Sequence, residues 1–281
     1  MRAARTRPAV TVALALGAAL AVAAQPIQAE QAAAEPGASA DDRLTLSLPE
    51  GLSLHRPNYA LPLTWSEDAD DEGDAEFKFQ FSLKYQILQT PFYAAYTQEA
   101  YFRWLDEDDS RPFREINFMP ELWYGFRPGR LEPDWLGLDI GIEHQSNGES
   151  QPESRSWNRA YVRPYFQRGP WQASLKVWSR FGAPDEPSSP SNPDGDDNPD
   201  IVDYYGRHEL RLDYTFADGE RLSLLTRYSL SEGRGALRLD YAWPTGGNGY
   251  WYAQLFTGYG ESLETFRENR TRIGIGFALM P

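Results

Sequence analysis

From residue 59 to the end of the chain, apolar and polar residues alternate with a period of two. This is the spacing of a strand with two unlike faces, not of an amphipathic helix. Within 116–126, Ile116, Phe118, Leu122, Tyr124 and Phe126 share one face, and Glu115, Asn117, Glu121 and Trp123 take the other. Within 136–146, Leu136, Leu138, Ile140 and Ile142 oppose Gly137, Asp139, Gly141 and Glu143. Near the C-terminus, Ile273, Ile275, Phe277 and Leu279 oppose Arg272, Gly274, Gly276 and Ala278. Read in this way, the chain is expected to form twelve strands, at 59–65, 77–88, 92–104, 115–126, 136–146, 155–166, 171–180, 203–215, 221–230, 235–243, 250–260 and 270–279.

The polar face is crowded with charge: Glu99, Arg103, Glu121, Glu143, Arg159, Arg163, Lys176, Arg211 and Arg238 all lie on it. A soluble β-sandwich would bury the apolar face and wet the polar one. A barrel with its apolar face outward and its polar face inward accounts for these charges and for the aromatic residues at strand ends. An even number of strands closed on itself leaves no open edge. Strands of about ten residues are long enough to cross a bilayer when tilted. The expected fold is all-β, a twelve-stranded antiparallel transmembrane β-barrel of the outer-membrane type. A soluble sandwich is the alternative, and a small porin or transporter is the alternative within the barrel class. The end of the chain, Leu279-Met280-Pro281, departs from the terminal aromatic of many such barrels, with Phe277 the nearest aromatic.

Residues 9–24 form an apolar run behind Arg2, Arg5 and Arg7, and small residues follow it. This reads as a secretory signal peptide over 1–29, with cleavage after Ala24 or Ala29. Residues 30–57 are expected to be a flexible or irregular N-terminal segment, and 58–281 the barrel. The chain of 281 residues has a net charge of −14, and losing the three N-terminal arginines makes it −17. That acidity argues against a nucleic-acid partner. The absence of Cys excludes disulfides, a thiol nucleophile and Cys-based metal sites. The stretches 66–76 and 183–200 are acidic or rich in Pro, Gly and Asp, and read as solvated loops.

The parity that places Leu136 to Ile142 on the apolar face carries on to His144 and Ser146, with Gln145 inward. Across a hairpin turn at 147–154, Ala160, Val162 and Phe166 set the apolar parity of the next strand, and Asn158 continues it. A Ser, a His and an Asn therefore converge on the lipid-facing side. A Ser hydroxyl needs a neighbouring base to become a nucleophile, His is the usual base near neutral pH, and a third group must hold its tautomer. The amide oxygen of Asn can do this beside hydrocarbon without a buried charge. Backbone N–H groups at Asn147 and Gly148 are candidates for an oxyanion hole.

The segment His144-Gln145-Ser146-Asn147-Gly148, followed by Ser154-Arg155-Ser156-Trp157-Asn158-Arg159, closely resembles the outer-membrane phospholipase A family. Further matches are Tyr96-Thr97-Gln98, Pro112-Phe113-Arg114-Glu115, Asp197-Asn198-Pro199-Asp200 and Gly258-Tyr259-Gly260-Glu261-Ser262. The resemblance implies a membrane-embedded enzyme of the Gram-negative outer membrane that hydrolyses phospholipid and lysophospholipid acyl esters, is active as a homodimer and needs calcium. It implies Ser146, His144 and Asn158 as the triad. It also implies as calcium ligands the side chain of Ser154, the carbonyl of Glu149 and, from the partner subunit, a serine matching Ser110. A second calcium position of the family uses two acids; one matches Asp197, and the other falls on Gln151, which is not an acid. Gln98 lies on the apolar parity with Ala94, Tyr96, Ala100 and Phe102, and the resemblance places a dimer-interface hydrogen bond there. Inside the barrel, Glu143, Arg159, Arg163, Glu121 and Arg103 are expected to pair into a polar network.

Overall fold

The computed structural model describes residues 48–66, 75–103, 113–126 and 135–281. The expected signal peptide, most of the segment 30–57, most of the acidic loop 66–76, and Ser110 lie outside the described residues. The strands are β1 (Leu52–Leu54), β2 (Asn58–Ser66), β3 (Ala75–Gln86), β4 (Phe92–Phe102), β5 (Phe113–Phe126), β6 (Trp135–Ser146) and β7 (Ser156–Arg168). They continue as β8 (Trp171–Phe181), β9 (His208–Thr215), β10 (Arg221–Ser229), β11 (Arg234–Pro244), β12 (Gly249–Tyr259) and β13 (Asn269–Leu279). β2 to β13 pair antiparallel around a closed ring, in which β13 joins β2 and β3 joins β4. The short β1 extends the line of β2 along the far end of β3 (Leu52 opposite Tyr85, Leu54 opposite Leu83).

The barrel has two unequal ends. At one, β7–β8, β9–β10 and β11–β12 are joined by the short turns 169–170, 216–220 and 245–248. At the other, β6–β7 and β8–β9 are joined by the longer 147–155 and 182–207. The strand expected from 203 begins only at His208, because Ile201–Tyr205 form a short helix, α1. Its Ile201 and Tyr205 are fully buried with Leu263, Phe266 and Trp157, so this apolar cluster caps the lumen at the end with the longer loops. The helix start is anchored by Arg267, whose Nε and Nη2 donate to Asp200 at 2.9 and 2.7 Å. That hydrogen bonding holds the Asp200 carboxyl below its ordinary pKa.

The alternation is clear in β5 and β13, and flattens to intermediate burial along β9 and β10. Glu115, Asn117, Glu121 and Trp123 are buried, while Leu122, Tyr124 and Phe126 are exposed. Ile273, Ile275 and Phe277 are exposed, each about half, against buried Arg272 and Ala278. Many inward side chains meet ionic partners. Lys78 lies 2.8 Å from Glu99, and Arg272 lies 2.9 Å from Glu76 and 3.0 Å from Glu261. Glu143 holds Lys176 at 2.6 Å and Arg159 at 2.9 Å, and Arg163 holds Asp139 at 2.7 Å. Arg103 departs from the expected network: it points to Glu76 at 3.8 Å and is partly exposed, because β4 ends beside it at Phe102.

The expected irregular segment up to residue 57 also needs correction. Its last part is ordered, forming β1 and an inward bulge at His55, Arg56 and Pro57. Beyond this bulge, toward the short-turn end, lies a polar cavity of about 470 Å³ lined by Asp139, Arg163, Asp213 and Arg221 among others. Ile140, on the outward belt, is 51% exposed. Ile140→Arg is expected to cost about 2–4 kcal/mol of unfolding free energy in bilayers, and Ile140→Leu less than about 1.5. Urea titration in lipid vesicles reads both.

Candidate active site

β6 ends with two residues facing outward, His144 and Ser146, and between them the buried, inward Gln145. His144 stands directly opposite Asn158 of β7. Its Nδ1 lies 2.9 Å from Asn158 Oδ1. An amide oxygen only accepts, so Nδ1 carries the proton and Nε2 is left as the basic nitrogen. Ser146 lies opposite Ser156 on β7 and Phe118 on β5. Among the described residues no hydrogen bond joins Ser146 Oγ to His144. The structure therefore brings His144 and Asn158 into contact and sets Ser146 beside them on the same face. Such nucleophile–base bonds are often long before substrate arrives.

The surroundings on this face are apolar. Phe181 stands opposite Asn158 on β8, and Ala160 stands opposite Ile142. The small Ala160 leaves a shallow depression of about 580 Å³ on the outer wall, lined by Leu122, Ile140, Ile142, Val162 and Val177. Asn158 and Ala160 alternate along β7, so the depression adjoins the polar pair.

The turn after β6 is folded by one side chain. Buried Asn147 donates from Nδ2 to the Glu153 carbonyl at 2.8 Å. Its Oδ1 accepts the N–H groups of Arg155 at 2.9 Å and Glu149 at 3.3 Å. Gly148 follows with φ +73°, and a Cβ there would lie 2.8 Å from the Phe118 ring. Only glycine meets both demands without strain. Sequence reading marked the backbone of Asn147 but missed its side chain as the staple of the loop.

Glu149 is exposed on this loop, and its carbonyl is a possible ligand. Ser154 Oγ donates to Asp197 Oδ2 at 2.7 Å. Gln151 Nε2 donates to the other oxygen of Asp197, and Ser156 Oγ donates to Oδ2 at 3.4 Å. Here an amide occupies the position where the resemblance leads one to expect a second acid. Asn198 secures the long loop by donating to the Ser156 carbonyl at 2.6 Å, and Arg180 binds the neighbouring Asp196. Among the described residues no group of three or more His, Asp or Glu could hold a metal. The hydroxyl of Ser154, the Glu149 carbonyl and the nearby Asp197 carboxylate are all hard oxygen donors. That is the chemistry a calcium ion takes, and it does not require a carboxylate cluster.

Gln98 shares a row with the serine, since it lies opposite Phe118, which lies opposite Ser146. It faces outward, and its Oε1 accepts from Tyr96 Oη at 3.0 Å.

Comparison with known proteins gives one consistent result. A family model described as phospholipase A1 matches residues 39–279. The phospholipase A1 of Escherichia coli K12 is 34% identical over 223 residues, covering 76% of this chain and 72% of that protein. The calcium-bound dimer of the Salmonella typhi outer membrane phospholipase is 32% identical, with a TM-score of 0.72, over 82% of this chain and 93% of that one. An E. coli outer membrane phospholipase A carrying an Asn-to-Ala change in its active site is 32% identical, with a TM-score of 0.71, over 84% of this chain and 94% of that one.

Asn147→Ala is expected to loosen the turn without opening the barrel. Trypsin should then cut the folded variant after Arg155, where it leaves the unaltered protein intact.

Proposed function

The chain belongs to the phospholipase A1 family and is a phospholipase, and from that premise we propose that Ser146 is its nucleophile, His144 its base and Asn158 the residue that orients the base. The observation that carries this reading is the 2.9 Å bond between His144 Nδ1 and Asn158 Oδ1 on the outward face. It leaves Nε2 as the proton acceptor, on the same strand face as Ser146.

The substrate is a phospholipid or lysophospholipid acyl ester, at either chain position. Ser146 Oγ attacks the ester carbonyl while its proton passes to His144 Nε2. The tetrahedral intermediate collapses, and the leaving alkoxide takes the proton back from the imidazolium. Water, deprotonated by His144, then hydrolyses the acyl-serine and releases the fatty acid. Asn158 keeps Nδ1 protonated throughout, with weaker support for the imidazolium than a carboxylate would give. The Gly148 N–H would donate to the oxyanion. The apolar depression below Asn158 offers the hydrocarbon tail a surface without leaving the lipid phase.

Ser154 and Glu149, with Ser110 of a second copy, would hold calcium. When bound, the ion would polarise the ester carbonyl and favour the oxyanion. A ligand set split between two copies makes the homodimer the active state, and Gln98, in the same row as Ser146, would join the copies. The setting is the Gram-negative outer membrane, reached after removal of residues 1–29, with 58–281 as the catalytic barrel. A porin reading finds no support in a lumen crossed by the Glu143 and Glu121 ion pairs and capped by α1.

Hydrolysis of phospholipid in detergent micelles tests this. Ser146→Ala should lower kcat by at least about 10³-fold. Asn158→Ala should lower it by about 10²-fold, because the base survives but loses its orientation. A calcium chelator should abolish turnover reversibly. Full activity in Ser146→Ala would overturn the triad, and full activity in chelator would overturn the metal assignment alone.

A further inference from the structure

The proposed hydrolysis makes no use of the place where the chain enters its own barrel. Between β1 and β2 the backbone buckles inward, and Asn58 repairs the gap in the ladder. Its Oδ1 accepts from the Ser82 N–H at 2.7 Å, and its Nδ2 donates to the Ser82 carbonyl at 2.9 Å. Ser82 Oγ also accepts the Arg56 N–H at 3.2 Å. So held, the bulge projects two side chains across the lumen. His55 Nε2 lies 3.0 Å from Glu121 Oε2, with its ring stacked on Trp123. Arg56 Nη2 lies 2.9 Å from Glu143 Oε1 and 3.6 Å from Glu121 Oε2.

Glu143 stands directly behind the outward pair. It lies opposite Arg159 on β7, and the next residues along, His144 and Asn158, lie opposite each other on the outer face. Glu143 Oε2 takes Arg159 at 2.9 Å and Lys176 at 2.6 Å, leaving Oε1 to Arg56. Arg159 also donates to Gln145 Oε1 at 3.3 Å, and the same oxygen accepts from Trp157 Nε1 at 3.1 Å. The inner residues 143, 145, 157 and 159 thus clamp the backbone that carries 144, 146 and 158. Arg56 is the member of this clamp that comes from outside the twelve strands of the ring.

We propose that Arg56 is a positioning residue for the reaction, holding Glu143 so that His144 and Asn158 stay in register on the outer face; this rests on the triad reading above. A buried carboxylate that loses one of three cations is attracted by the two that remain. Without Arg56, Glu143 shifts onto Arg159 and Lys176 and drags β6 against β7. Displacements of this kind, well under a strand spacing, are costly in a near-attack geometry. The Arg56 side chain is 28% exposed, on the cavity side, so its replacement leaves room for water.

The test is the rate at which an alkyl fluorophosphonate labels Ser146 in the full-length protein in micelles, read by peptide mass spectrometry beside kcat, KM and barrel melting temperature. Arg56→Met should slow labelling and lower kcat by about 10- to 100-fold, with KM and melting temperature near those of the unaltered protein, and Arg56→Lys should recover most of the loss. Labelling of Arg56→Met at the original rate would overturn the proposal, as would a slowing that merely follows a fallen melting temperature and is not rescued by Lys. Should Arg56→Met fail to refold, Asn58→Ala, which frees the bulge and keeps every charge, is read in the same way. Absence of label on Ser146 in the unaltered protein would overturn the triad reading instead.

Discussion

A β-strand serves two solvents at once, and the end of β6 depends on that property. Glu143 and Gln145 point into a lumen of paired charges, and His144 and Ser146 point onto the outer wall. The polar side chains on the outer face have few local partners to hold them. Their precision comes from behind, through the backbone they share with residues that are firmly bound. A buried ion pair is weak evidence for stability, because desolvation offsets much of its attraction. Its value here is geometric. Ion pairs behind β6 and β7 tie together the backbone that carries the proposed triad on the outer wall.

The same logic explains the loops. The turn 147–155 is short of apolar contacts and is organised by hydrogen bonds to Asn147, while Asp197 gathers Gln151, Ser154 and Ser156. The long 182–207 loop is pinned by Asn198 and Arg180, and it brings Asp197 to the Ser154 hydroxyl, one of the proposed calcium ligands. Gln151, where a second acid would stand, supplies amide protons to Asp197. The carboxylate therefore has a hydrogen-bonded resting partner that needs no metal.

Much of this was legible in the residues. A two-residue period over ten positions is a strong signal, and it placed eleven of the twelve ring strands within about three residues of where they lie. The parity argument alone put His144, Ser146 and Asn158 on one face. The rest had no periodic signature. The bulge at His55 and Arg56 spans too few residues to show a pattern, and its meaning depends on Glu121 and Glu143, far away in the chain. Residues 203–205 continue an apolar-polar alternation into β9, yet they coil into α1 because Ile201 and Tyr205 find a fully buried site with Leu263 and Phe266. Tertiary burial outweighs local preference there. The Asn147 staple was hidden because an Asn before a Gly reads as an ordinary turn.

The account stands on the reactive side chains facing lipid. Because the chain has no Cys, single nitroxide labels can be placed without background at Ser146→Cys, Gln145→Cys and, as an outward reference, Ile142→Cys. Relaxation by oxygen, which partitions into hydrocarbon, is compared with relaxation by a water-soluble nickel chelate for the protein in bilayers. The labels at 142 and 146 should collide preferentially with oxygen, and the label at 145 should be shielded from both. A label at 146 that meets neither reagent, beside one at 145 that meets oxygen freely, would reverse the faces of β6 and contradict the account.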